Sequence, residues 1–268
     1  MRPVAIALAL TLLVPLAPSV VKAAPSPGAL PFPEITATSK PAGNPATLII
    51  DDVGDHRGLG KRSVDLPAEV TISILPHTPH ARTLARRAKA RGREVMLHLP
   101  MEPKADVDPG PGGLFLDMDE QEVREAVARA LEHVPEAAGV NNHMGSLLTR
   151  HPGHMDWVMD ELASRGDFYF IDSRSSARTV AEQLARENGL ETAARAVFID
   201  PQRDPEVIER QFEVFIERAR VEDGMIAIAH PYPETLELLE RELPRLPGRG
   251  VRLVPASKLV GRTGSSAD

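Results

Sequence analysis

Residues 47–56 read TLIIDDVGDH. Thr47, Leu48, Ile49 and Ile50 have the composition of a buried strand, yet the run stops on two adjacent carboxylates, Asp51 and Asp52. Neighbouring acids repel, and the C-terminal ends of strands are where barrel and open-sheet α/β enzymes place their chemistry. Further runs share this short, apolar, β-branched character: EVTISILP, EVMLHLP, AGVNNH, DFYFID, AVFID, MIAIAH and VRLVPAS. Between them lie amphipathic stretches such as PHARTLARRAKARG, DEQEVREAVARALEHV, GHMDWVMDELASRG and PEVIERQFEVFIERAR. Strands apolar on both faces that alternate with helices imply a parallel sheet buried beneath crossover helices. Gly92, Gly166 and Gly189 stand where helices must stop before the next strand. The chain has no G-x-G-x-x-G and no P-loop, which weighs against the alternative of an open doubly wound sheet. The expected architecture is a (β/α) barrel, complete or distorted, of seven to eight mostly parallel strands in a single domain.

The flanks read differently. Arg2, an apolar stretch from Val4 to Leu16 and the sequence SVVKAAP give residues 1–23 the layout of a secretory signal peptide cleaved after Ala23. Prolines with Gly, Ser and Thr then fill residues 24–45, the composition of a disordered linker. The barrel domain is expected over 46–261 and a disordered tail over 262–268. Export implies a periplasmic location, and no other segment is long and apolar enough for a stable membrane span. The formal charge of −7 argues against a nucleic-acid partner. The absence of Cys excludes disulfides, thiolate metal sites and a Cys nucleophile, leaving oxygen and imidazole ligands. With one Trp and two Tyr, a long aromatic sugar platform is not available, so a small acyl group or a short glycan end suits the chain better.

The other strand ends repeat the pattern of the first. MLHLPME supplies His98 and Glu102, VNNHMGS supplies His143, FIDSRSS supplies Asp172, and IAHPYP supplies His230. In a parallel α/β fold all of these emerge on one rim. Singly, each has a plainer reading: a helix-capping acid at Asp51 or Asp52, a core imidazole at His98, a turn residue at His143, a local pair of Asp172 with Arg174. Asp200, which ends AVFID before Pro201, is read as structural. His133, His151 and His154 are assigned to helix surfaces or caps, and His77 and His80 to the start of a helix. Jointly, an Asp with two His and room for water is a ligand set for a divalent cation in hydrolysis, Zn²⁺ before others. One Asp of the pair would bind the ion and the other would take a proton from water, the ion offsetting their repulsion.

The motifs LIIDDVG, ISILPHTPHA, MLHLPMEP, GVNNHMGS, FYFIDSRSS and IAIAHPYPETL resemble those of the divergent polysaccharide deacetylase family, in the same order and over residues 46–260. That family is a branch of the superfamily that includes chitin, chitooligosaccharide and peptidoglycan N-deacetylases. The resemblance implies a distorted (β/α) barrel with one metal ion on the strand-end rim, Asp51 as general base and Asp52 as ligand. The superfamily's second motif carries two His three residues apart, whereas here the spacing gives His98 and then Glu102. The third ligand is therefore either Glu102 or His143, with His143 preferred. By the same resemblance His230 would protonate the leaving group and Asp172 would orient His230 or another rim group. Asn142, Ser146 and Arg174, in the neighbouring motifs, are the substrate-binding candidates.

The function expected is an exported, metal-dependent hydrolase that removes acetyl groups from an acetylated glycan or peptidoglycan fragment. Two alternatives stand beside it. One is glycoside cleavage by paired carboxylates such as Asp51 and Asp172. The other is a non-catalytic envelope protein that keeps the barrel and binds a glycan or a protein partner, a reading that the absent second-motif histidine favours.

Overall fold

A computed structural model describes residues 43–260; the signal peptide, nearly all of the linker and the tail lie outside them. The strands are β1 (Asn44–Val53), β2 (Thr71–Ile74), β3 (Glu94–Met101), β4 (Ala137–Met144), β5 (Tyr169–Asp172), β6 (Thr192–Ala194), β7 (Val197–Phe198), β8 (Met225–Ala229) and β9 (Val251–Leu253). The helices are α1 (Arg57–Val64), α2 (Ala81–Ala90), α3 (Glu120–His133), α4 (Pro152–Ser164), α5 (Ala181–Glu187), α6 (Pro205–Ala219) and α7 (Pro233–Glu242). All strand pairings are parallel, in the order β6-β5-β4-β3-β2-β1-β8-β7, with β9 paired to the first residues of β1. The sheet curls into a distorted (β/α) barrel that stays open between β6 and β7, which no ladder joins.

Side-chain alternation divides the core in two. Leu48 and Ile50 of β1, Leu97 and Leu99 of β3 and Phe170 of β5 face the helices, where Leu84, Val127, Val158, Phe212 and Leu236 cover them. Ile49, Met96, Tyr169, Ile171, Ile226 and Ile228 point inward and are plugged from below by Val254, Ala256, Leu259 and Val260. The helices start and stop on local chemistry. Asp119 and Glu122 form a reciprocal capping box on α3, and Asp204 caps α6 ahead of Pro205. Gly92, Gly166 and Gly189 take positive φ just past α2, α4 and α5, as their spacing predicts.

Three details differ from the sequence-based expectation. The first strand begins at Asn44, inside the stretch read as linker, because Asn44 and Pro45 pair with Val251 and Arg252. The AVFID run contributes only Val197 and Phe198 to a strand. Another short strand, Thr192–Ala194, precedes it; its Thr-Ala-Ala composition carries neither alternation nor β-branched enrichment beyond Thr192.

Candidate active site

The adjacent acids of β1 should point to opposite faces of the sheet, since side chains alternate along a strand. Asp51 keeps the inward direction of Thr47 and Ile49. Asp52 does not follow the outward direction of Leu48 and Ile50, because its backbone is left-handed (φ 54°) where the ladder to β2 shifts register between Ile50 and Val53. This twist, of a kind that costs a non-glycine residue about 1–3 kcal/mol, brings both carboxylates to the same cavity. Met144 (φ 50°) and Gly145 (φ 79°) make a similar turn at the end of β4.

Three donor atoms converge above the strand ends. Asp52 Oδ1 lies 2.8 Å from His143 Nδ1 and 3.1 Å from His98 Nε2, and the two ring nitrogens are 3.1 Å apart. His98 is buried, and its other nitrogen, Nδ1, sits 2.8 Å from Asn141 Oδ1. Asn141 is itself fixed: its Nδ2 donates to Asp51 Oδ1 (2.9 Å) while its Oδ1 accepts from Ser73 Oγ (2.7 Å). His98 Nδ1 therefore carries the proton donated to Asn141, so that Nε2, which hydrogen-bonds Asp52 Oδ1, is the nitrogen that would give up its proton to ligate a cation beside Asp52 and His143. In a tetrahedral site with bonds of about 2.0–2.2 Å, neighbouring donors stand roughly 3.3–3.6 Å apart, so the triangle seen here would have to widen by a few tenths of an ångström to hold an ion. The imidazole with its back nitrogen held by a carbonyl is the usual outer support of a metal ligand. Among the described residues, Asp52, His98 and His143 form the group with metal-ligand convergence.

The electrostatics follow from this crowding. Burial alone would raise the Asp52 carboxyl, but hydrogen bonds to His143 and His98 hold it well below its usual value. Burial opposes the charge on His98 as well, and Asp51 and Asp52 outweigh it, so that imidazole is raised. His230 is pushed up to about 9: burial lowers it, and the hydrogen bond to Asp200 with the nearby charges of Asp52 and Asp200 more than reverses that. Its Nε2 is 3.8 Å from Asp52 Oδ2, facing the cavity.

Asp51, Asp52, His98, Asn142, His143 and His230 all border one cavity of about 270 Å³. Glu102 does not join them. Its side chain accepts from the Leu116 backbone N–H (2.7 Å) and its carbonyl from Leu147 and Leu148, so it anchors the loop after β3. Ser146 also lies away from the cavity, accepting from the Lys104 N–H (2.9 Å). Asp172 and Arg174 correct the expectation most sharply. On β5, Tyr169 and Ile171 point inward, so Asp172 points outward, where it accepts from the Arg174 N–H (2.8 Å) and Thr179 Oγ1 (2.9 Å). Burial there raises its carboxyl. Arg174 pairs with Glu182. Asp172 thus cannot orient His230. Asp200 does, accepting from His230 Nδ1 (2.9 Å), the His230 N–H (2.7 Å) and Thr235 Oγ1 (2.8 Å). A structural reading of Asp200 missed this; the signal was the position of Asp200 at the end of an inner-facing run next to the strand that carries His230. Arg195 and Phe198, also on the cavity wall, lie outside the quoted motifs, whereas Ser173 and Ser175 sit inside FYFIDSRSS, flanking Arg174, and reach the cavity in its place. The remaining histidines stay clear of it: His77 donates its backbone N–H to His133 Nδ1 (3.1 Å), and His154 reaches the Met118 carbonyl (3.3 Å).

Comparison with known proteins agrees with this architecture. The profile of the divergent polysaccharide deacetylase family matches residues 48–260. An uncharacterized protein of Haemophilus influenzae is 36% identical over 200 residues, 75% of this chain and 71% of that one. The Escherichia coli protein YibQ, also uncharacterized, is 35% identical over 233 residues, 86% of this chain and 72% of its own. The crystal structure of the uncharacterized protein ATU2773 from Agrobacterium tumefaciens superposes with a TM-score of 0.77 at 23% identity, covering 83% of this chain and 91% of that one, and so shares the fold.

Proposed function

The chain belongs to the divergent polysaccharide deacetylase family, and on that premise we propose that it is a metal-dependent hydrolase that removes acetyl groups from an acetylated glycan in the periplasm. The observation that carries this reading is the convergence of Asp52 Oδ1, His98 Nε2 and His143 Nδ1 between a carboxylate held by Asn141, Asp51, and a polarised imidazole, His230. The periplasmic part rests on the signal-peptide layout of residues 1–23 alone. No helix of the described residues is long and apolar enough to cross a membrane.

Asp52, His98 and His143 would hold one divalent cation, for which two imidazoles and a carboxylate suit Zn²⁺, and the ion would supply a Lewis acid for an acyl carbonyl and for water. Asp51, steadied by Asn141 through Oδ1, keeps Oδ2 near the cavity, 3.7 Å from His98 Nε2, where it can take a proton from the attacking water. The water oxygen joins the acetyl carbon, the C–N or C–O bond breaks, and His230 gives its Nε2 proton to the departing nitrogen or oxygen. Asp200 keeps the His230 imidazole in place for that transfer and favours its protonated form. The products are acetate and a free amine or hydroxyl on the sugar. A cavity of about 270 Å³ suits an acyl group with one edge of a sugar ring.

Purified protein should carry close to one equivalent of divalent metal by elemental analysis and should release acetate from acetylated chitooligosaccharides or peptidoglycan fragments. A metal-free protein that releases none from any of them would instead support the non-catalytic binding reading.

A further inference from the structure

The cavity wall contains one permanent cation that the mechanism above does not use. Arg195 lies in the open seam between β6 and β7, where the barrel has no ladder. Its Nε donates to the Ser173 carbonyl (2.7 Å), its Nη2 to the Arg174 carbonyl (3.0 Å), and its guanidinium sits 4.9 Å over the Phe198 ring. These contacts fix the plane of the group and leave Nη1 and part of Nη2 without an assignment. Arg62, Arg87, Arg124, Arg174 and Arg249 all stand within ion-pair distance of a carboxylate, whereas none of the described carboxylates lies so near Arg195. Burial lowers its pKa, the sign of a charge held partly out of water, although the more distant charges of Asp51 and Asp172 act in the opposite direction. An oriented, half-desolvated guanidinium of this kind is a receptor for an oxyanion.

The same cavity selects which oxyanion. Asp51 and Asp52 line it too, so a phosphate dianion would meet like charge, while a carboxylate carries a single charge and matches the planar fork of arginine. The neutral walls beside Arg195, Ser173, Ser175 and Phe198, can accept the rest of a small group. We propose that Arg195 is a specificity-determining residue that receives a carboxylate borne by the acylated ligand, so that the preferred substrates are acylated sugar acids in which the carboxylate stands a few bonds from the acyl group. The word substrate rests on the hydrolase reading; the binding itself does not.

The test is equilibrium binding by ligand-observed NMR to the zinc-loaded full chain, with N-acetylmuramic acid, its methyl ester and N-acetylglucosamine as probes. The acid should bind at least about tenfold more tightly than the ester or the neutral sugar, the low end of what a charge-assisted hydrogen bond contributes. Arg195→Gln should erase that preference while leaving the two neutral probes unchanged, and Arg195→Lys should keep part of it. Equal binding of acid and ester by the unmodified chain overturns the proposal even if Arg195→Gln does not fold. So does an Arg195→Gln protein that still prefers the acid, or one that loses all three probes equally, which would make Arg195 a support for Asp51. Acetate release from the same three compounds separates the two readings. A carboxylate preference without turnover removes the hydrolase and keeps the Arg195 site; turnover without preference does the reverse.

Discussion

Replacing Asp200 by Asn tests the relay that the structure builds behind His230. Asp200 Oδ2 accepts two hydrogen bonds, from the His230 N–H and Thr235 Oγ1, and Oδ1 accepts one, from His230 Nδ1. An asparagine has a single acceptor oxygen. The orientation that keeps the two bonds at Oδ2 puts the amide NH₂ against His230 Nδ1, so the bond lost is the one that orients the imidazole. Hydrogen bonds to charged groups contribute about 1.5–3 kcal/mol, and losing one should lower the melting temperature by roughly 3–12 °C in a chain of this size. Activity should fall much further, by about 10²–10⁴, the usual contribution of a positioned general acid. Metal content should stay at one equivalent, because Asp52, His98 and His143 are not touched. The ¹⁵N shifts of the His230 ring report its protonation directly and should move from the doubly protonated imidazolium that Asp200 favours toward a neutral, Nε2-protonated pattern, a change that a purely structural role for Asp200 would not produce. Asp172→Asn is the matched control. Its side chain faces away from the cavity and its burial already favours the uncharged form, so turnover should change by less than about threefold, as for a site with no part in proton transfer. Full activity in Asp200→Asn together with a collapse in Asp172→Asn would show that the relay has been assigned to the wrong strand.

Asp52→Asn, His98→Ala and His143→Ala should each lose stoichiometric metal by elemental analysis, while Glu102→Gln and His133→Ala keep it. Asp51→Asn should retain the metal and lose activity by about 10²–10⁴ in an acetate-release assay. Gly139→Ala would set a Cβ 2.3–2.6 Å from the buried Tyr169 ring, an overpacking that should cost about 1–3 kcal/mol in denaturant unfolding and little in a Tyr169→Ala background. His77 and His133 are both held below the ordinary imidazole value, first by burial and then by neighbouring cationic groups, among them Arg82. A depressed histidine is protonated later in the folded state than in the unfolded one, so the contribution of this pair to stability is constant above about pH 6.5 and is lost as pH drops below it; His133→Gln should flatten that acid limb in thermal melts.

The barrel was legible because its evidence is local. Apolar β-branched runs, amphipathic stretches and glycines past helix ends each leave a mark within a few residues, and the parallel order follows from their alternation. The rim residues were legible for the same reason, since polar groups that end apolar strands are few. What could not be read was direction. DFYFID and AVFID end in an identical Ile-Asp, yet Asp172 points outward and Asp200 reaches His230. The difference lies in the phase of each strand against its neighbours: Tyr169 and Ile171 face inward on β5, whereas Phe198 is the inward residue of β7 and Ile199 packs against the helices. A two-residue alternation fixes which side chains share a face, but only the ladder fixes which face is the inside. Asp52 is the converse case, a residue whose alternation alone would send it outward and whose left-handed backbone sends it to the cavity. The register shift between Ile50 and Val53 makes room for that turn, and Gly54 follows it with φ 153° and an ideal Cβ 2.1 Å from Thr78 Oγ1. The acids are adjacent in sequence because one strand must deliver two different groups to one cavity, and the strained φ of Asp52 is the means by which a single β-strand does so.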